Sequence, residues 1–229
     1  MKFRYLAWCV ATLTALAQLS SPACAADDEK LLDEVVVSGS RVATKLSETP
    51  QAIGVVKNEI LQRDKPTTMG QVINRIPGVY WNDLGNEQHS MGIRQPISTN
   101  AVYQYLEDGI PIRPLGVFNH NAMNEINIAG IDSVEVVKGA ASSLYGSNAV
   151  GGAVNFLTAA PSRTPYARVG VQHDNTAGFT RYDTSASNTW DKIGLRFSHY
   201  SSRRTENNWQ EYSYGDKDSF SLRGDYALS

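Results

Sequence analysis

Hydrophobic positions along this chain follow two different rules, one before about residue 160 and one after it. In the first part they come in short runs broken by turn residues. Gln51-Ala52-Ile53-Gly54-Val55-Val56 predicts a strand, and Glu59-Ile60-Leu61 opens a short helical turn that Pro66 stops. Met69, Val72, Ile73 and Ile76 share one helical face behind a capping-box pattern, Thr68 with Gln71, and Pro77-Gly78 closes that helix. Val79-Tyr80-Trp81 and Ser90 to Arg94 predict strands on either side of a polar loop, Asn82 to His89. Val102 to Leu106, Asp108-Gly109 and Ile110-Pro111-Ile112 form a hairpin pattern, with Pro111 placing the second arm at a sheet edge. Arg113 to Ile128 is asparagine-rich and aperiodic, a long loop. Ile131 to Val137 reads as strand, and a glycine- and serine-rich turn region, 139 to 152, leads into strand 153 to 158. Short strands, two short helices and many turns predict a compact α+β unit over 51–160.

After Pro161 the rule changes to alternation. Ala167 to Gln172, Tyr182 to Asn188, Ile193 to Tyr200 and Phe220 to Tyr226 place larger apolar or aromatic residues at every second position, with polar turns at His173-Asp174-Asn175 and Asn188 to Asp191. A period of two gives a sheet two unlike faces. Such a sheet is either the wall of a membrane barrel, apolar toward lipid and polar toward the lumen, or an ordinary soluble antiparallel sheet. Alternation alone leaves both open.

The N-terminus adds a destination. Lys2 and Arg4, the apolar stretch Tyr5 to Leu19 and the small-residue site Ala23-Cys24-Ala25 predict a secretory signal over 1–25, cleaved after Ala25. Both cysteines, Cys9 and Cys24, fall within it, so the exported part is expected to hold neither disulfide nor cysteine metal site. Loss of Lys2 and Arg4 lowers the basic count from 21 to 19 against 23 acidic residues, a net charge of −4 that argues against nucleic acid as a partner. Residues 26–50 are polar around one apolar island, Asp33-Glu34-Val35-Val36-Val37-Ser38. This flexible segment can add a strand to the open sheet edge of a partner, or can be the first strand of the chain's own sheet.

Chemistry is harder to seat. The 139–152 run lacks the Gly-Lys-Ser/Thr ending of a phosphate loop and the spacing of a dinucleotide fingerprint, and no Gly-x-Ser-x-Gly elbow surrounds Ser38-Gly39-Ser40. His89, His120, His173 and His199 show no metal-ligand spacing. No catalytic residue, cofactor or metal site is expected, and the chain is not read as an enzyme.

The run Ile131-Asp132-Ser133-Val134-Glu135-Val136-Val137-Lys138-Gly139-Ala140-Ala141-Ser142-Ser143-Leu144-Tyr145-Gly146-Ser147-Asn148-Ala149-Val150-Gly151-Gly152-Ala153-Val154-Asn155 closely resembles the most characteristic stretch of TonB-dependent receptor plugs. Asp33 to Ser38 resembles a TonB box, and Gly92-Ile93-Arg94 and Tyr105 to Pro111 resemble further plug segments in the same order. The resemblance implies an α+β plug domain, followed by the first antiparallel strands of an incomplete transmembrane β-barrel from about residue 161. It implies an outer-membrane receptor that takes up a scarce nutrient, a ferric siderophore or other iron complex. Its partners would be TonB, outer-membrane lipid and an iron chelate or similar small ligand. It further implies that Asp33, Glu34, Val35, Val36, Val37 and Ser38 are the handle TonB grips, and that Arg94, Glu135 and Lys138 meet the barrel wall. Lysine at 138 and alanine at 140 depart from the arginine and proline frequent in the family, which weakens a two-pronged ion pair there. Outward plug loops imply ligand contacts at Trp81, Gln88, His89, Arg113, Phe118 and His120.

Only 69 of the 229 residues follow Ala160, too few for a plugged barrel of roughly 22 strands with about 10 residues each. The expectation is therefore part of a longer coding frame, or the product of a decayed gene, with unpaired strand edges that favour aggregation. Between Ala26 and the box no length is left for an additional signalling domain. The rival readings are a free-standing periplasmic binding module with a plug fold and an exported hydrolase, which would need a catalytic constellation.

Overall fold

The computed structural model describes residues 34–85, 87–97, 100–113, 121–176, 178–205 and 213–228; the signal segment 1–25, Asp33, Phe118 and His120 lie outside them. Strand β1 (Val35–Val36) pairs antiparallel with β2 (Thr44–Lys45) in a two-stranded sheet of its own. Strand β3 (Ile53–Lys57) runs directly into helix α1 (Asn58–Asp64), which ends at Lys65 in a left-handed conformation, one residue before Pro66. Helix α2 (Met69–Ile73) is shorter than its apolar pattern, although Ile76 still reaches the core. Its cap differs from the predicted box: Gln71 Oε1 accepts from the Thr67 N–H at 2.8 Å, and the Thr68 side chain makes no cap bond.

The polar stretch after Val79 is not a loop. Strands β4 (Val79–Gly85) and β5 (Gln88–Ile93) form a tight hairpin, so the expected loop Asn82 to His89 is mostly ladder. Strand β6 (Tyr103–Glu107) and strand β7 (Ile110–Pro111) form the predicted hairpin. Asp108 and Gly109 at its turn both hold positive φ, 48° and 79°, as a two-residue turn of this hand requires. Strand β8 (Ile131–Lys138) and strand β9 (Gly152–Thr158) complete a five-stranded sheet in the order β3-β8-β9-β6-β7, with Pro111 on the edge strand. Strands β6 and β9 are parallel, the other pairs antiparallel.

This sheet is buried on both faces. Val56, Val134, Val136, Val154 and Phe156 face α2 and the β4–β5 hairpin; Ile53, Leu106, Val137 and Ala153 face Val36, Tyr145 and Ala149. The aperiodic stretch supplies Ala122, Met123 and Ile126 to the first of these cores from short 3₁₀ turns.

Strands β10 (Tyr166–Asp174), β11 (Phe179–Trp190), β12 (Ile193–Arg204) and β13 (Gly215–Tyr226) form a second, antiparallel meander. They are longer than the sequence pattern, and Asn188 to Trp190, expected as turn, belong to β11; the turn is Asp191-Lys192. The inner face is polar and packs on the α+β unit, while Val169 is 78%, Phe220 77% and Leu222 72% exposed. Ala167, Ala186, Phe197 and Leu222 lie in one cross-strand row on the outer face. A sheet made for water would put these residues inward, so the outer medium that fits them is hydrocarbon.

Candidate functional site

The apolar island 34–38 is docked rather than free, and the dock is built from the centre of the five-stranded sheet. Glu135 on β8 and Asn155 on β9 are directly paired across the ladder, on a face otherwise made of Ile53, Leu106, Val137 and Ala153. Two polar side chains in such a place need partners. They find them in the N-terminal segment. The Glu135 carboxylate accepts from the main-chain N–H of Val37 at 3.1 and 3.3 Å and of Ser38 at 2.8 Å. Asn155 donates to Ser38 Oγ at 2.9 Å and accepts from the Gly109 N–H at 2.9 Å. Tyr145 donates its hydroxyl to the Ser38 carbonyl at 3.0 Å. Val36 fills the apolar gap beside them, and Lys57 pairs with Glu34 at 3.1 Å. Hydrogen bonds to a charged group contribute about 1.5–3 kcal/mol each, so the clasp outweighs the single buried Val36 side chain.

A cavity of about 680 Å³ opens beside this clasp. Val37, Arg41, Asp108 and Asn155 line it on one side and Arg196 and Arg223 on the other. Among the described residues no group of His, Cys, Asp and Glu has metal-binding geometry.

Residues 45–153 match the family described as the TonB-dependent receptor plug domain. These residues are a TonB-dependent receptor plug domain. It is 29% identical over 147 residues to the vitamin B12 transporter BtuB of Vibrio vulnificus, an alignment covering 63% of this chain and 24% of that protein. The unliganded ferric citrate transporter FecA superimposes with a TM-score of 0.66 at 26% identity, over 77% of this chain and 29% of FecA. The pyoverdine outer-membrane receptor FpvA of Pseudomonas aeruginosa, bound to pyoverdine, shares the fold with a TM-score of 0.61 at 21% identity, over 78% of this chain and 26% of FpvA. The chain thus spans about a quarter of the length of these relatives, and it is an outer-membrane protein like them. The α+β unit is the plug, and the meander is the start of the barrel wall, unclosed among the described residues.

Within the receptor fold, the residues expected to bind ligand go to different places. Trp81 and His89 are buried and stacked on each other, ring centroids 3.8 Å apart at 16°. They belong to the plug core, because the strand pairing of 79–85 with 88–93 turns them inward. Gln88 is exposed near the hairpin tip, and Arg113 is paired with Glu125, Nε to Oε1 2.9 Å.

The residues expected to touch the wall are also redistributed. Glu135 faces the N-terminal segment. Arg94 donates to the Lys138 carbonyl at 3.3 Å and Lys138 Nζ to the Pro77 carbonyl at 3.4 Å, which gathers two cations at one end of the plug. Burial, then the Arg94 guanidinium, hold the Lys138 ammonium below its ordinary value. Among the described residues neither cation meets a carboxylate. Plug and wall are joined instead by inward polar side chains of the strands. Gln172 donates to the Lys65 carbonyl at 2.7 Å, Arg204 to Thr67 O at 3.1 Å and Arg223 to Thr158 O at 2.7 Å. Lys217 meets Glu87 at 3.4 Å, and Asn127 donates to Ser198 O at 3.1 Å. Of these, Gln172 and Arg223 fall within the alternating stretches of the sequence, whereas Arg204, Lys217 and the plug residue Asn127 lie outside them.

Proposed function

We propose that this chain is the plug and first wall strands of an outer-membrane receptor that imports a scarce nutrient, an iron complex, using work delivered by TonB to residues 33–38. One observation carries the reading: the two working parts lie at opposite ends of the wall. The Glu87 tip of the β4–β5 hairpin meets Lys217 at the end of the wall that carries the ten-residue connection 205–214. Val37 and its clasp share their cavity with Arg196 and Arg223, near the end closed by the two-residue turn Asp191-Lys192. Barrels of this kind keep short turns in the periplasm and long loops outside. The docked segment therefore faces the periplasm, and the hairpin tip faces the ligand side. The names of relatives, a vitamin B12 transporter and a ferric citrate transporter, support import, and the second of them supports an iron complex as the cargo. The outward apolar face of the wall weighs against a free-standing periplasmic module.

Deletion of Val35 to Ser38 in a receptor carrying this plug within a closed barrel is expected to abolish uptake while leaving ligand affinity at the cell surface unchanged. Uptake at the undeleted rate would refute the handle. Growth on single iron sources identifies the cargo.

A further inference from the structure

Pulling on residues 33–38 would do more than free them, because of what they leave behind. Glu135 is 2% exposed and Asn155 1%, and both sit on interior strands of the sheet. Among the described residues the Glu135 carboxylate takes its hydrogen bonds from the main-chain N–H groups of Val37 and Ser38. If those groups depart, a carboxylate is stranded between Ile53, Leu106, Val137 and Ala153, where it is costly unless its charge is neutralised, water enters or strand order is lost. Asn155 extends the dependence, since its other end holds the Gly109 N–H at the β6–β7 turn.

We propose that Glu135, Asn155 and Tyr145 are positioning residues that clasp Val37 and Ser38, and that the clasp joins docking of the N-terminal segment and integrity of strands β8 and β9 into one cooperative unit. Undocking the handle loosens the middle of the plug, so force applied at residue 37 acts on β8 and β9 without passing through the edge strands. The inference rests on reading residues 33–38 as the coupling segment.

The test uses the whole chain in detergent micelles and needs neither TonB nor cargo. A nitroxide on Val35→Cys, at an exposed position of β1, reports docking. It should be immobile in the parent and mobile in Glu135→Ala. Glu135→Gln, which keeps one acceptor oxygen, should lie between them. Amide exchange of β8 and β9 reports the coupling. Deleting Glu34 to Ser38 should accelerate that exchange at least about tenfold, the weight of one hydrogen bond to a charged group. In a Glu135→Met, Tyr145→Phe, Asn155→Leu background, where the deletion strands none of the three clasp side chains, the same deletion should change exchange by less than about twofold. If that background fails to fold, Tyr145→Phe, which removes one hydroxyl and opens no hole, should by itself speed label motion. Equal acceleration in both backgrounds, no acceleration in the parent, or an immobile label in both Glu135→Ala and Tyr145→Phe would overturn the proposal. Those outcomes would leave import standing. Conversely, normal uptake after deletion of Val35 to Ser38 would sink the handle and leave the coupling of tail and sheet intact.

Discussion

Trp81 separates a core role from a ligand role by a large margin. Its indole stacks on the His89 ring, Asn74 accepts from its main-chain N–H at 2.7 Å and donates to its carbonyl, and Gly70 packs against its ring. Trp81→Ala leaves the Asn74 bonds in place and deletes only the ring. Truncating a buried aromatic costs about 3–5 kcal/mol. Loss of the stack, worth about 0.5–1.5 kcal/mol, puts this site in the upper half of that range. Urea unfolding of the chain in detergent micelles, followed by near-ultraviolet circular dichroism, measures the shift. A second variant checks the geometry. A Cβ on Gly70 would lie 2.5 Å from Trp81 Cδ1, so Gly70→Ala should cost about 1–3 kcal/mol by overpacking. The double variant should cost less than the sum, because the ring that clashes is gone. A Trp81→Ala chain within about 0.5 kcal/mol of the parent would refute the core assignment. So would weaker iron-chelate binding at unchanged stability in the closed-barrel receptor.

Two further outcomes follow from burial and from the wall. Burial first, and then Asp108, raise the Glu107 carboxyl above its reference value of 4.5. Its contribution to stability is thus present at acid pH and lost as pH rises through the raised value. Glu107→Gln should raise the urea midpoint relative to the parent at pH 7 and leave it equal at pH 4; the same difference at both pH values would contradict that sign. Leu222 lies mid-wall on the outward row, and Leu222→Arg should cost about 2–4 kcal/mol when folding is titrated in lipid vesicles. An unchanged folded fraction would mean that this face does not meet hydrocarbon.

Sequence by itself determined what depends on near neighbours. The strand 131–138, the Asp108-Gly109 turn and the edge position of Pro111 were legible because backbone sterics and alternation act over two to four residues. The family was legible for the same reason, since the glycine-rich run around 139–152 is one continuous stretch. Tertiary structure decided everything that needed a distant partner. Trp81 and His89 turned inward because hairpin pairing converts a polar-looking loop into ladder. Glu135 turned toward Ser38, a residue 97 positions away, because alternation along β8 sends Val134 and Val136 into the core under α2 and leaves Glu135 with Val137 on the face that the N-terminal segment covers. Alternation in β10–β13 is symmetric under exchange of the two faces, so the pattern named both sets and only packing against the plug said which one faced out.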